Sequence, residues 1–188
     1  IIAVILLTLF TFPSLALEAN DLKTKIPGDH VLGKDNAKVT LIEYASLSCP
    51  HCAEFHSNIL PTIQKDYIDT GKVKLVVRDF PLNGPAVQAS LLAHCVSPLA
   101  YWGMTEQLFA TQAQWVNDQS LPVLATMAAA AGINGQDFQQ CLNDKAAKDK
   151  IIASRAVDAL KDLAIHYLPH KTTAQKEWFE ISGALREN

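Results

Sequence analysis

The sequence has no basic stripe, no internal repeat, no low-complexity tract and no long run of like charge. The first absence argues against a nucleic-acid partner, and a net charge of −3 agrees. The others exclude solenoids, disordered tails and compositionally biased linkers. Cysteine is scarce, with four in 188 residues. Only Cys49 and Cys52 lie close together, so no second CxxC completes a common zinc pattern. Ala53, not histidine, follows Cys52, which excludes a c-type haem attachment site. No metal or other cofactor is expected. What is present is apolar: 49% hydrophobic residues suffice for a packed core, and the length fits one domain or one domain with an insertion.

The apolar content is densest at the start. Residues 1–12 are almost purely apolar, followed by Pro13 and small residues. The pattern predicts a secretory signal peptide over residues 1–19, cut after Ala16 or, alternatively, Ala19. No methionine and no basic residues precede the apolar run, so the leader is expected to lack its first residues. A membrane anchor facing the periplasm is the alternative. The stretch before Glu18 is broken by Pro13 and is short against the ~20 residues a spanning helix needs. Export would place the cysteines where thiols oxidise.

Val39–Tyr44 and Val73–Arg78 are rich in β-branched residues and predict strands. Between them Phe55, Ile59, Leu60 and Ile63 recur at helical spacing, and the helix should run on to Ile68 with a kink at Pro61. Strand, helix, strand in this order implies a parallel pair. Helical patterns then follow over 86–96, 99–110, 121–131, 136–142 and 146–164. They predict a helical subdomain inserted at 85–163 between two parts of an α/β domain, 20–84 and 164–188. The last part, with "WFEISGAL" as its one strand-like segment, is atypical and short.

The chemistry centres on "SLSCPHCAEFH", Ser46 to His56. A zinc site built from Cys49, His51, Cys52 and His56 would crowd its ligands onto one helical turn. A structural disulfide across two residues would close almost no loop. A redox pair has a direct mechanism. At a strand-to-helix junction, free N–H groups and the positive end of the helix dipole favour thiolate at Cys49. Pro50 suits the first helical turn, where its missing N–H costs nothing. His51, when cationic, adds to the effect, and a favoured thiolate makes the disulfide more oxidising. Cys52, deeper along the helix, is the resolving thiol. Glu43, on the preceding strand, is either a buried carboxylate that shuttles the proton of Cys52 or an ordinary solvated residue.

"VTLIEYASLSCPHCAEFH", "KVKLVVRDFPL" and the run of helices resemble the DsbA-like branch of the thioredoxin superfamily, in particular its short outer-surface and periplasmic forms. The resemblance covers Asp29 to Ala164, with CPHC its most specific part. It implies a thioredoxin-like fold, class α/β, split by an all-helical insertion, with a C-terminal part that is here incomplete. It implies a periplasmic enzyme that donates its disulfide to newly exported, unfolded or reduced polypeptides. A quinone-linked membrane partner would reoxidise it, and a monomer is expected. By position Cys49 matches the nucleophile, Cys52 the resolving cysteine, Pro50 and His51 the tuning dipeptide, and Glu43 the buried acid. Pro169 matches the cis-proline that shapes the substrate groove, with Leu168 beside it. The residues after it, "HKTTAQ", make a poor central strand.

Cys95 and Cys141 fall on predicted helices. They could form a second redox pair, a disulfide that clips the insertion as in some family members, or two free thiols. The clip is the expectation, and in the chain-entropy picture a loop of that length adds on the order of 4 kcal/mol. His94, His166 and His170 lack ligand spacing and are assigned to surface or core. His56, one helical turn beyond Cys52, could modulate the site electrostatically, and is otherwise expected to be exposed. Trp102, Phe109 and Trp115 should pack the helices. Two other functions stay open: a reductase or isomerase, since direction depends on potential and partner, and a catalytically impaired relic or binding protein that keeps the cysteines without a complete groove.

Overall fold

The computed structural model describes residues 29–154. Strands β1 (His30–Leu32), β2 (Val39–Ala45) and β3 (Val73–Asp79) form one sheet in the order β1-β3-β2. β2 and β3 are parallel, in register from Val39↔Val73 to Ala45↔Asp79, and β1 adds antiparallel to β3. The parallel pair is the one that the strand–helix–strand order predicts. β1 was too short to give a period. Gly33 follows it with φ 108°, and a Cβ there would lie 2.8 Å from Ile68 Cγ2, so only glycine fits this close approach.

Helix α1 crosses from β2 to β3 and spans residues 50–68. Its turns alternate: Pro50–Glu54 and Leu60–Ile63 are α-helical, Phe55–Ile59 and Gln64–Ile68 are π-helical. The π turns close with the N–H groups of Leu60 and Asp69 donating to the carbonyls of Phe55 and Gln64. Pro61, where a kink is expected, stands two residues after the first π turn ends, and prolines and π turns are both places where helices bend. His56, Leu60 and Ile63 stand at i, i+4 and i+7, on one helical face with Cys52 four residues earlier. His56, Leu60, Ile63 and Ile68 are buried and Ile59 is 42% exposed.

Among the described residues six helices follow: α2 (Gly84–Cys95), α3 (Tyr101–Ala110), α4 (Gln112–Trp115), α5 (Ser120–Ala130), α6 (Gly135–Asn143) and α7, which begins at Lys145 and continues to the end of the described residues. The Asn83 and Asn134 side chains cap α2 and α6 by accepting from first-turn N–H groups. Leu92, Leu108, Trp115 and Leu124 are fully buried and share one core with Val73, Leu75 and Val77 of β3. Trp115 Nε1 donates to the Leu108 carbonyl at 2.9 Å, so its one polar atom is satisfied in that core. Phe109 is buried in the same core and Trp102 packs partly against it, as their sequence positions suggest.

The opposite face of β3 carries Arg78, 4% exposed, whose guanidinium donates to both carboxylate oxygens of Asp29 at 2.9 and 3.0 Å and to the Tyr44 hydroxyl at 3.0 Å. Among the described residues no helix is long and apolar enough to cross a membrane. The predicted leader, 1–19, and the C-terminal segment, 164–188, lie outside the described residues.

Candidate active site

β2 delivers the chain to the edge of the sheet at Ala45, and four residues then turn it into α1. That turn is held from three sides. The Cys49 N–H donates to the Ser46 carbonyl at 2.9 Å. The buried Ser46 hydroxyl oxygen accepts from the N–H groups of Ser48 and Leu82, each at 3.3 Å, and lies 3.1 Å from Ser48 Oγ. From α4, the Gln112 side-chain amide donates to the carbonyls of Leu47 (2.7 Å) and Cys49 (3.0 Å). A helix some sixty residues along the chain (|i−j| 63 to Cys49) therefore grips the backbone that carries the first cysteine.

Cys49 is the N-cap of α1, with extended backbone (φ −84°, ψ 120°), and Pro50 takes the first helical position. No side chain caps this end, so its amide groups face the Cys49 side. Both cysteines are unbonded and half-buried. The His51 side chain is 93% exposed, 3.8 Å from Glu54. Burial pushes the Cys52 thiol up to about 11; a hydrogen bond and charge from Cys49 and the charge of Glu43 add to the rise, and a backbone hydrogen bond from Ser46 offsets part of it. Cys52 is thus held as a thiol at neutral pH, as a resolving group should be.

Glu43 comes up from β2 with a side chain only 14% exposed, so the buried position, not the solvated one, is what the fold gives it. His56 Nε2 lies 3.0 Å from Glu43 Oε2, and the ring is itself packed 4.2 Å from that of Phe109 on α3. The expected exposure of His56 is therefore wrong. Its position four residues after Cys52 and four before Leu60, on one helical face with Ile63, was the signal that could have found it.

A second carboxylate–imidazole pair sits further along the same face of the sheet. His94 Nε2 is 2.6 Å from Asp79 Oδ2, and His94 Nδ1 is 3.1 Å from His30 Nε2, whose ring stacks on Tyr101. Burial, then the charge on His94, lowers His30 to about 4 against partial opposition from Asp79 and Asp29. Burial also raises the Tyr101 hydroxyl, with help from the charges of Asp79 and Glu43, while the neighbouring Thr105 side chain opposes the rise.

Cys95, at the end of α2, is disulfide-bonded to Cys141 on α6, with a Cα–Cα distance of 6.0 Å. Leu168 and Pro169 lie outside the described residues. Among the described residues no group of three or more His, Cys, Asp or Glu could hold a metal ion. Gln112 gave no signal in the sequence.

Comparison with known proteins agrees with this geometry. Residues 25–170 match the family model described as Thioredoxin. The crystal structure of Wolbachia pipientis alpha-DsbA1 is 36% identical, with a TM-score of 0.68, over 83% of this chain and 77% of that one. Oxidised BdbD from Bacillus subtilis is 30% identical, with a TM-score of 0.63, over 70% of this chain and 75% of that one. Disulfide bond formation protein D of Bacillus subtilis is 38% identical over 108 residues, 53% of this chain and 49% of that protein. The chain spans about half the length of the curated relatives it matches. Family match, shared fold and site together establish that the chain belongs to the DsbA-like thiol:disulfide oxidoreductases of the thioredoxin superfamily.

Proposed function

We propose that the chain is an exported protein-disulfide oxidase that introduces disulfides into newly secreted polypeptides through Cys49 and Cys52. The observation that supports this most directly is the asymmetry of the pair. Cys49 sits at an uncapped helix N-terminus, and Cys52 lies one turn deeper with its thiol pushed up to about 11. In the forward step a substrate thiolate attacks Sγ of Cys49 in the oxidised protein. The substrate–Cys49 bond forms, the Cys49–Cys52 bond breaks, and its electron pair goes to Cys52, which takes up a proton that Glu43 relays from solvent. A second substrate thiolate then attacks the substrate sulfur of the mixed disulfide and releases Cys49 as thiolate. The substrate gains the disulfide and the protein gains two electrons, which a quinone-linked membrane partner removes.

The same reading assigns residues 85–163 to an insertion within a thioredoxin-like domain of 20–84 and 164–188, and the Cys95–Cys141 bond to a clip on it. It gives Pro169 and Leu168 to the substrate groove, residues 1–19 to a signal peptide, and the periplasm to a monomeric product. The test is stoichiometric oxidation of a reduced, unfolded secreted protein by the leader-free, oxidised chain. Disulfides should appear in the substrate as they vanish from the enzyme, and Cys49→Ala should abolish the transfer. Equal turnover by Cys49→Ala would reject the mechanism. No turnover in the wild type would favour the relic.

A further inference from the structure

We propose that His56 is the positioning residue of Glu43: it clamps one oxygen of the carboxylate beneath the redox pair so that the proton of Cys52 has a fixed acceptor. The inference rests on the thiol-exchange reading above and extends it. Two elements converge on this contact. α1 supplies both Cys52 and, one turn later, His56, while β2 supplies Glu43. The imidazole is 3% exposed and the carboxylate 14%, so water does not compete for the 3.0 Å bond.

The tautomer follows from what surrounds the ring. Nδ1 of His56 is buried and has no hydrogen-bond partner among the described residues. A buried N–H without an acceptor is costlier than an idle lone pair. In the neutral ring the proton therefore sits on Nε2, which donates to Glu43 Oε2. Phe109 covers one face of the ring at 4.2 Å and Phe55 meets it edge-on at 5.6 Å, which blocks rotation away from Glu43. The other titratable groups that feel the Glu43 charge are Cys52 on α1 and Tyr101 on α3. The described hydrogen bond to the Glu43 carboxylate is the one from His56. A carboxylate on a free side chain explores several rotamers, whereas one held by a packed imidazole does not.

The test isolates the step that needs the acceptor. Cys49 is converted to its mixed disulfide with thionitrobenzoate by an aromatic disulfide, and release of the coloured thiolate is followed. Cys52 gives its proton to Glu43, the Cys49–Cys52 bond forms, and the bond from Cys49 to thionitrobenzoate breaks with its electron pair leaving on that sulfur. His56→Leu should slow release about tenfold, the worth of one hydrogen bond to a charged group. His56→Gln, which keeps an N–H donor, should recover the rate to within about threefold of wild type, and the His56→Leu effect should vanish in a Glu43→Gln background. Wild-type release from His56→Leu would overturn the proposal. So would a slow His56→Leu that Glu43→Gln does not mask. A second readout needs no variant: the ¹⁵N spectrum of the wild-type imidazole should show Nε2 protonated and Nδ1 bare, and the reverse assignment would overturn the proposal even if a variant failed to fold. Failure of the parent reading looks different, because the wild type itself would then release nothing and transfer no disulfide, which overturns both.

Discussion

Gln112 offers the clearest perturbation of the site from a distance. Its amide makes two hydrogen bonds to the loop before α1, to the carbonyls of Leu47 and Cys49. Each is a neutral bond with a net worth of about 1 kcal/mol, so Gln112→Ala should cost about 2 kcal/mol. The Cys49 carbonyl keeps a bond from the Ala53 N–H at 3.1 Å, which limits the loss on that side. For a chain of this size the cost corresponds to a fall in melting temperature of about 4–8 °C. Gln112→Glu separates bonding from packing. It has nearly the same volume, but its carboxylate cannot donate and would face two carbonyl oxygens. It should therefore be less stable than Gln112→Ala, and it should also slow thiol exchange at Cys49 because the loop that presents the sulfur is no longer held. Thermal unfolding followed by circular dichroism, with alkylation of Cys49 timed alongside, gives both numbers. A Gln112→Glu variant as stable as wild type would refute the reasoning, since the amide would then only be filling space.

Three further outcomes follow from the same structure. Cys52 is raised in the fold to about 11 from an unfolded value of 9.0. The unfolded state therefore loses that proton first, and the reduced protein should lose stability as pH rises from about 9 to 11, an effect absent in Cys52→Ala and measurable by urea unfolding across that range. His30 is lowered to about 4 from 6.5, so between those values the unfolded state binds more protons, and stability should fall on acidification through that window; His30→Phe should flatten the dependence, and proton NMR of the ring gives the midpoint directly. Replacing Cys95 and Cys141 together by alanine opens a link between residues 46 apart and should cost about 3–4 kcal/mol in denaturant unfolding while the Cys49–Cys52 couple still titrates.

Local patterns carried much of this fold into view. The parallel β2–β3 pair and the helices after β3 follow from strand runs and helical periods. The position of Cys49 at a helix start follows from the Pro50 that comes after it. Long-range pairing was less visible. Gln112 bonds to a loop more than sixty residues away, and nothing in its neighbourhood marks it. His56 was misplaced because a polar side chain on a helix was taken as exposed by default, although its spacing to Cys52, Leu60 and Ile63 is that of the buried face. Glu43 could be placed on the correct strand, but alternation along β2 gave its face only once the register with β3 fixed Glu43 opposite Val77, which is in the core. His94 was left between surface and core, and its contacts with Asp79 and His30 come from two strands that no local pattern joins to α2.

The central claim is that the Cys49–Cys52 pair is built to be reduced by its substrates. The measurement that tests it most directly is equilibrium titration of the leader-free chain against glutathione buffers, with the fraction of Cys49–Cys52 disulfide read by alkylation and mass. The account predicts a single transition at an oxidising potential, well above the thioredoxin value of about −270 mV. A transition at or below that value would contradict it and make the chain a reductase.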